Sequence, residues 1–280
     1  MRLRSLLFVP GDRPERFAKA AGSGADAIIL DLEDSVALDR KDAARTAVAD
    51  WLASERPVTT FVRINPLDSK HVVADLAAIA GEMPEGIVLP KAEGAASIAA
   101  LVDLLADPVV PILPIATETP AALFELGSYR TVADRLAGVT WGAEDLPAAI
   151  GAASSRLADG AYTQPYEIAR ALTLFAAHAA RVSAIETVYP AIKDEAGLSA
   201  YAERGARDGF TGMMALHPAQ VPIINAAFTP SAAQIAEATA IVTAFAAAPD
   251  AGVLTLEGRM IDAPHLLQAR KILERAEPLA

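Results

Sequence analysis

Short apolar runs rich in Val, Ile and Leu recur along this chain, and helical spacing follows most of them. Leu6 to Val9 is the first run; the turn Pro10-Gly-Asp-Arg-Pro14 separates it from a helical stretch over Pro14 to Ala21. Asp26-Ala-Ile-Ile-Leu-Asp-Leu-Glu-Asp34 repeats the form, with a helix from about Arg40 to Leu52. Thr59 to Pro66 and Gly86 to Lys91 are the third and fourth runs, followed by helical stretches over His71 to Ala80 and Ala95 to Leu105. Val109 to Ala116 and Ala137 to Gly142 are the fifth and sixth, and a helical pattern begins after the second of these and recurs over Pro165 to Ala180. Arg181 to Glu186, a helix over Glu195 to Asp208, and Gly212 to His217 complete the series. Near-continuous apolar strands alternating with helices predict a parallel sheet covered on both faces. Eight such units at short loop lengths predict an α/β fold of the (β/α)₈ TIM-barrel type. The competing open doubly wound sheet lacks a Gly-x-Gly-x-x-Gly fingerprint after the first strand.

The alternation stops near residue 229, so the expected division is a barrel over 1–229 and a C-terminal extension over 230–280. Pro230 and Ser231 open a helix to about Ala247, and Val253 to Ile261 reads as a hairpin turning at Glu257-Gly258. Asp262-Ala-Pro-His265 leads into a final helix. A helical and hairpin tail of this kind caps the barrel or packs on a neighbouring subunit.

Composition narrows the chemistry. The chain has 280 residues, 53% of them apolar, which suits one barrel-sized core. Lys+Arg 24 against Asp+Glu 35 leaves a net charge of −11, which argues against a nucleic acid or an anionic membrane as the main partner. With no cysteine, thiolate catalysis and thiolate-bound metal are excluded. The N-terminal apolar stretch is too short for a signal segment and no run reaches membrane-spanning length, so a cytoplasmic location is expected.

The polar residues at the strand ends carry the candidate chemistry. They are Asp31, Glu33 and Asp34, then Arg63, Lys91, Glu118, and Glu144 with Asp145. Chemistry in barrels of this type sits at the carboxyl ends of the strands. Glu118 and Asp145 end consecutive strands, and paired carboxylate oxygens suit a hard divalent cation. A guanidinium at Arg63 suits an anionic substrate carboxylate, although an ion pair with Asp31 or Glu33 is an equal alternative. Arg13, Arg16 and Lys19 form a basic cluster on the first unit, read either as a solvated helix face or as a phosphate contact. The histidines have no metal spacing, and His217 reads as a loop-fixing hydrogen bonder. Walker loops, zinc spacings and nucleophilic triads are absent.

Leu7-Phe-Val-Pro-Gly-Asp-Arg-Pro-Glu-Arg-Phe17, Ile29-Leu-Asp-Leu-Glu-Asp-Ser-Val36, Val62-Arg-Ile-Asn65, Leu89-Pro-Lys-Ala-Glu93, Gly142-Ala-Glu-Asp-Leu146, Leu216-His-Pro-Ala-Gln220 and Gly258 to His265 occur in this order. Together they closely resemble the citrate lyase β-subunit-like branch of the HpcH/HpaI aldolase superfamily. The resemblance implies a TIM barrel with Mg²⁺ held by Glu118 and Asp145, and Arg63 on the carboxylate of a 2-oxo acid. It implies a carbon–carbon lyase acting on a 3-hydroxy-acid acyl-CoA such as malyl-CoA or citramalyl-CoA. Gly142, Ala143 and Glu144 are then expected substrate contacts, and Arg13, Arg16 and Lys19 expected contacts of the CoA phosphates. Asp262 is the expected acid/base, carried on a lid that reaches a neighbouring subunit of a homotrimer or homohexamer. Related readings are a thioesterase using the same enolate chemistry and a citryl-thioester lyase β subunit working with an acyl-carrier subunit. The intact Gly258-to-His265 segment favours the stand-alone enzyme. Thr119-Pro-Ala-Ala122 and Met213 depart from common family residues, so the arginine and lysine functions found there in many relatives do not carry over.

Overall fold

The computed structural model describes residues 1–105 and 109–276. They divide into two compact units: Leu3–Asn225, and Ala226 onward together with Met1–Arg2. The last four residues of the expected 230–280 extension lie outside the described residues.

The first unit alternates as read. Its elements begin β1 (Ser5–Pro10), α1 (Phe17–Ala21), β2 (Ala27–Asp31), α2 (Lys41–Leu52), β3 (Thr59–Arg63), α3 (Val72–Ile79), β4 (Gly86–Leu89) and α4 (Gly94–Leu104). They continue as β5 (Ile112–Pro114), α5 (Pro120–Glu125), β6 (Gly138–Thr140), α6 (Leu146–Ile150), α7 (Gln164–Ala180), β7 (Ser183–Glu186), α8 (Glu195–Asp208), β8 (Gly212–Ala215) and α9 (Val221–Ala227). The strands form one parallel sheet in the order β5-β4-β3-β2-β1-β8-β7-β6. Its two ends meet through isolated parallel bridges, Ile112 with Leu136 and Ile115 with Thr140. Backbone N–H groups of Ala116 and Ala137 donate to the carbonyls of Thr140 and Ile112, each at 2.9 Å, and close the TIM barrel.

Side chains alternate across a strand, so every second residue enters the barrel. Leu6, Ala27, Ile29, Phe61, Val88, Leu113, Ile115, Ile185 and Met214 pack there as one buried cluster. The intervening Leu7, Ile28, Leu30, Val62 and Ile87 are also buried, which is why the strands read as unbroken apolar runs. Fully burying each such side chain contributes about 1.5–3 kcal/mol.

The differences from the sequence reading have local causes. The fifth run spans Val109 to Ala116, but β5 is three residues long, because Pro111 and Pro114 cannot donate to a ladder. Helix α5 lies between the fifth and sixth apolar runs, where the sequence pattern predicts no element. Pro120 opens it and Thr119 Oγ1 caps the Ala122 N–H, but six residues are too few to display a helical period. The stretch from Pro14 to Ala21 is a 3₁₀ turn at Pro14–Arg16 followed by the short α1.

In the second unit, α10 (Ala232–Ala247) starts at a Ser231–Gln234 capping box. β9 (Val253–Leu256) and β10 (Arg259–Asp262) pair antiparallel, and α11 (Ala263–Ala276) follows. The turn residues Glu257 and Gly258 both have left-handed φ, 50° and 76°, as a tight two-residue hairpin requires. Ala238, Ile241, Phe245, Ile261 and Ala269 form the core of this unit. Among the described residues no helix is long and apolar enough to cross a membrane.

The join of β8 to the chain start sets a steric limit. A Cβ on Gly212 would lie 1.7 Å from the Leu3 carbonyl oxygen, which is backbone and cannot rotate away. Gly212→Ala is therefore expected to destabilise the barrel by about 1–3 kcal/mol, read as a lower urea midpoint with unchanged slope.

Candidate active site

The carboxyl ends of β2 to β6 gather the charges. Asp31 and Arg63 are register partners on β2 and β3. Arg63 donates to Asp31 through Nε at 2.6 Å and Nη2 at 2.7 Å, a bidentate pair. The Asp31 carboxylate also accepts the backbone N–H groups of Glu33 at 2.9 Å and Ser35 at 3.1 Å. Burial pushes Asp31 up, but Arg63 and these hydrogen bonds outweigh it and hold the carboxyl below its ordinary range. Arg63 Nη1 lies 2.9 Å from Glu33 Oε2, and its guanidinium stacks 4.8 Å from the Phe8 ring centre. Asp31 uses two of the five N–H donors of Arg63, so the ion-pair reading and a substrate role are compatible.

Glu33 is buried, and its Oε1 accepts Lys91 Nζ at 2.9 Å. Burial pushes Glu33 above its ordinary range despite Arg63 and Lys91. Lys91, just past β4, connects the next two carboxylates. Its backbone N–H donates to Glu118 Oε2 at 2.6 Å, and its Nζ is 3.4 Å from Asp145 Oδ1. Burial lowers the Lys91 ammonium, but Glu33, Glu118 and Asp145 raise it on balance, so it is a cation here.

Glu118 is buried just beyond β5, while Asp145 is about one-third exposed before α6. Burial, with Asp145 and Glu33 as like-charged neighbours, pushes Glu118 up to about 8 against the opposing Lys91 N–H bond. Gly142 makes room for it: a Cβ there would meet Glu118 Cγ at 2.8 Å and Oε1 at 3.0 Å. Thr117 Oγ1 both donates to the Gly142 carbonyl, at 3.0 Å, and accepts its N–H, at 3.1 Å. Ala143 is buried and Glu144 exposed.

The other expected residues are placed as follows. Arg13, Arg16 and Lys19 are exposed on the 3₁₀ turn and α1, and Arg13 Nε is 3.8 Å from Asp12. Asp262 ends β10 and lies 2.5 Å from His265 Nδ1, a contact that lowers its carboxyl. His217 accepts the Ala219 N–H as the cap of a 3₁₀ turn, the loop-fixing role read from the sequence.

Two networks were not anticipated. Lys41 is buried, and its ammonium donates to the carbonyls of Leu32 and Glu33 and to Asn65 Oδ1, at 2.7, 2.8 and 2.9 Å. It fixes the loop that carries Glu33. Glu186, closing β7, accepts from Trp141 Nε1, Tyr201 Oη, the Thr187 N–H and Arg170 Nε. An acid at a strand end was the available signal for Glu186. Lys41 gave none, because a lysine in a first helical turn reads as solvated.

The donor set suits a small divalent cation. Glu118 spends one oxygen on Lys91, Asp145 is accessible, and two carboxylates are what Mg²⁺ takes from a protein when waters and ligand oxygens complete its octahedron. Among the described residues no group of three or more His, Cys, Asp or Glu stands ready to hold a metal alone.

A parallel barrel with charged residues collected at the carboxyl ends of its strands defines the class of (β/α)₈-barrel enzymes. The model of the HpcH/HpaI aldolase/citrate lyase family matches residues 4–218, and the chain belongs to that family. It is 40% identical over 270 residues to the citrate lyase subunit beta-like protein of Mycobacterium tuberculosis, covering 96% of this chain and 94% of that protein. It is 36% identical over 284 residues to a (3S)-malyl-CoA thioesterase of Cereibacter sphaeroides, covering 99% and 95%. The crystal structure of M. tuberculosis CitE with magnesium, acetoacetate and coenzyme A superposes with a TM-score of 0.85 at 37% identity, covering 98% of each chain.

The raised Glu118 carboxyl has a consequence for stability. Its folded value of about 8 exceeds the ordinary 4.5, so its contribution is fully present below 4.5 and is lost as pH rises to about 8. In chelator, Glu118→Gln should gain on wild type across that window, and thermal melts at pH 5, 7 and 8.5 measure the difference.

Proposed function

We propose that this chain is a Mg²⁺-dependent carbon–carbon lyase that cleaves or forms a 3-hydroxy-acid acyl-CoA of the malyl-CoA or citramalyl-CoA type. The observation that carries the reading is the junction at Lys91, where carboxylates from two consecutive strand ends meet beside the Arg63 guanidinium. The relatives named for citrate lyase, and the CitE complex with magnesium and coenzyme A, support it.

Glu118 and Asp145 would hold the ion. When bound, Mg²⁺ supplies Lewis-acid stabilisation of negative charge on the hydroxyl or oxo oxygen of the substrate. Arg63 binds the carboxylate of the oxo-acid half with the N–H groups that Asp31 and Glu33 leave free, and so orients it. Gly142, Ala143 and Glu144 line the substrate, the first packed directly against Glu118. Arg13, Arg16 and Lys19 receive the CoA phosphates. In cleavage the Asp262 carboxylate, from the C-terminal extension of a neighbouring subunit in a trimer or hexamer, takes the proton of the substrate hydroxyl. The carbon–carbon bond breaks to leave the oxo acid and the acetyl thioester enolate, and the Asp262 carboxyl returns the proton to the enolate carbon. The extension is taken as 230–280 and the barrel as 1–229, and the expected location is the cytoplasm.

A second reading, thioester hydrolysis, is favoured by the similarity to the (3S)-malyl-CoA thioesterase. Protein with Mg²⁺ and malyl-CoA or citramalyl-CoA is expected to release glyoxylate or pyruvate without free thiol. Free thiol without oxo acid would replace the lyase by the hydrolase.

Asp145→Ala should lower turnover by about a thousandfold or more while leaving the melting transition cooperative; full activity would sink the metal assignment. Mixed oligomers of Asp262→Ala and Arg63→Ala should regain part of the activity that each variant lacks, and verified hybrids that stay inactive would place Asp262 in its own subunit's site.

A further inference from the structure

Lys91 has an unusual backbone. Its φ of 51° is left-handed, a conformation that costs a side-chain-bearing residue about 1–2 kcal/mol. Among the described residues the other non-glycine cases are Arg181, at the end of α7, and Glu257, in the hairpin turn. Those two serve chain reversal. At Lys91 the same geometry aims the N–H at Glu118 and sends the side chain to Glu33 and Asp145.

The three cations at this mouth divide their partners unequally. Arg63 faces Asp31 and Glu33 and keeps N–H donors for the oxo acid, while Lys41 spends its ammonium on two carbonyls and Asn65. Lys91 touches both carboxylates assigned to the metal. Its Nζ is closer to Glu33, at 2.9 Å, than to Asp145, at 3.4 Å, and its side chain is 32% exposed, so the ammonium can swing fully onto Glu33. A divalent ion on Asp145 and an ammonium on the same carboxylate repel each other.

We propose that Lys91 is a tethered counter-ion that competes with the divalent cation for Asp145 and thereby makes cation binding depend on an anionic oxo-acid ligand. This inference rests on the assignment of Glu118 and Asp145 as metal ligands. Without the anion, the incoming ion gains two carboxylates but meets the ammonium. An oxo acid brings negative charge and restores the balance, so cation and oxo acid bind with positive coupling. Lys91 acts through the charges of its neighbours and is a positioning residue.

The test uses Mn²⁺ binding, read by electron paramagnetic resonance of the free ion, with and without pyruvate. Lys91→Gly removes the ammonium while suiting the left-handed backbone and keeping the N–H to Glu118; Lys91→Met removes the ammonium and keeps a side chain. Both are expected to bind Mn²⁺ about tenfold tighter than wild type without pyruvate, and to gain less than wild type when it is added. Lys91→Arg, which keeps the charge, should stay near wild type. Unchanged or weaker Mn²⁺ binding in both neutral variants overturns the counter-ion role. Asp145→Ala separates the two ideas. If it abolishes Mn²⁺ binding while the Lys91 variants match wild type, the counter-ion role alone fails. If it leaves Mn²⁺ binding intact, the metal assignment fails and this inference with it.

Discussion

A carboxylate taken out of water must be neutralised by a proton, a hydrogen-bonded cation or a metal ion, and the ends of β2 and β5 bury three of them. Asp31, Glu33 and Glu118 each find a different solution. Asp31 is matched completely: a bidentate guanidinium and two backbone N–H groups leave it ionised. Glu33 has Lys91 on one oxygen and Arg63 in ion-pair range of the other, yet burial keeps it raised. Glu118 has a single N–H and two like-charged neighbours, and its carboxyl rises furthest toward neutral pH. The gradient from satisfied to unsatisfied runs along β2 to β5, and it ends where a divalent cation has the most to offer.

Much of this was legible because parallel strands must be covered on both faces. That requirement turns each strand into an apolar run, and its polar end then stands out. Asp31, Arg63, Glu118 and Asp145 were all found as strand-end residues, and the Asp31–Arg63 pair was among the alternatives. What escaped depends on distance in sequence. Lys41 reaches Asn65 across 24 positions, and Arg45 reaches Asp75 across 30, neither with a periodic trace. Short α5 escaped for another reason: six residues do not complete two helical turns, so the hydrophobic period has no room to show.

His265 shows the limit from the other side. Metal spacing gives it no partner, yet it is Asp262's neighbour one helical turn away. Pairing at three residues is a routine consequence of a strand running straight into α11. It favours the ionised form of the Asp262 carboxylate, the form that the proposed proton-accepting role would need.

The loop between β6 and α6 combines fixed and adjustable parts. Trp141 is tied to Glu186 on the β7 side by an indole N–H bond of 2.5 Å, inside a carboxylate that accepts four donors. Gly142 is tied to Thr117 on the β5 side by reciprocal bonds. Backbone clamped from both neighbouring strands keeps Gly142 against Glu118, where any side chain would collide. Three residues later Asp145 is one-third exposed, with the Lys91 ammonium at 3.4 Å. Glu118 is thus held in a fixed, buried position while Asp145 stays partly exposed, a division that would suit the proposed cation, since Mg²⁺ keeps several of its own waters.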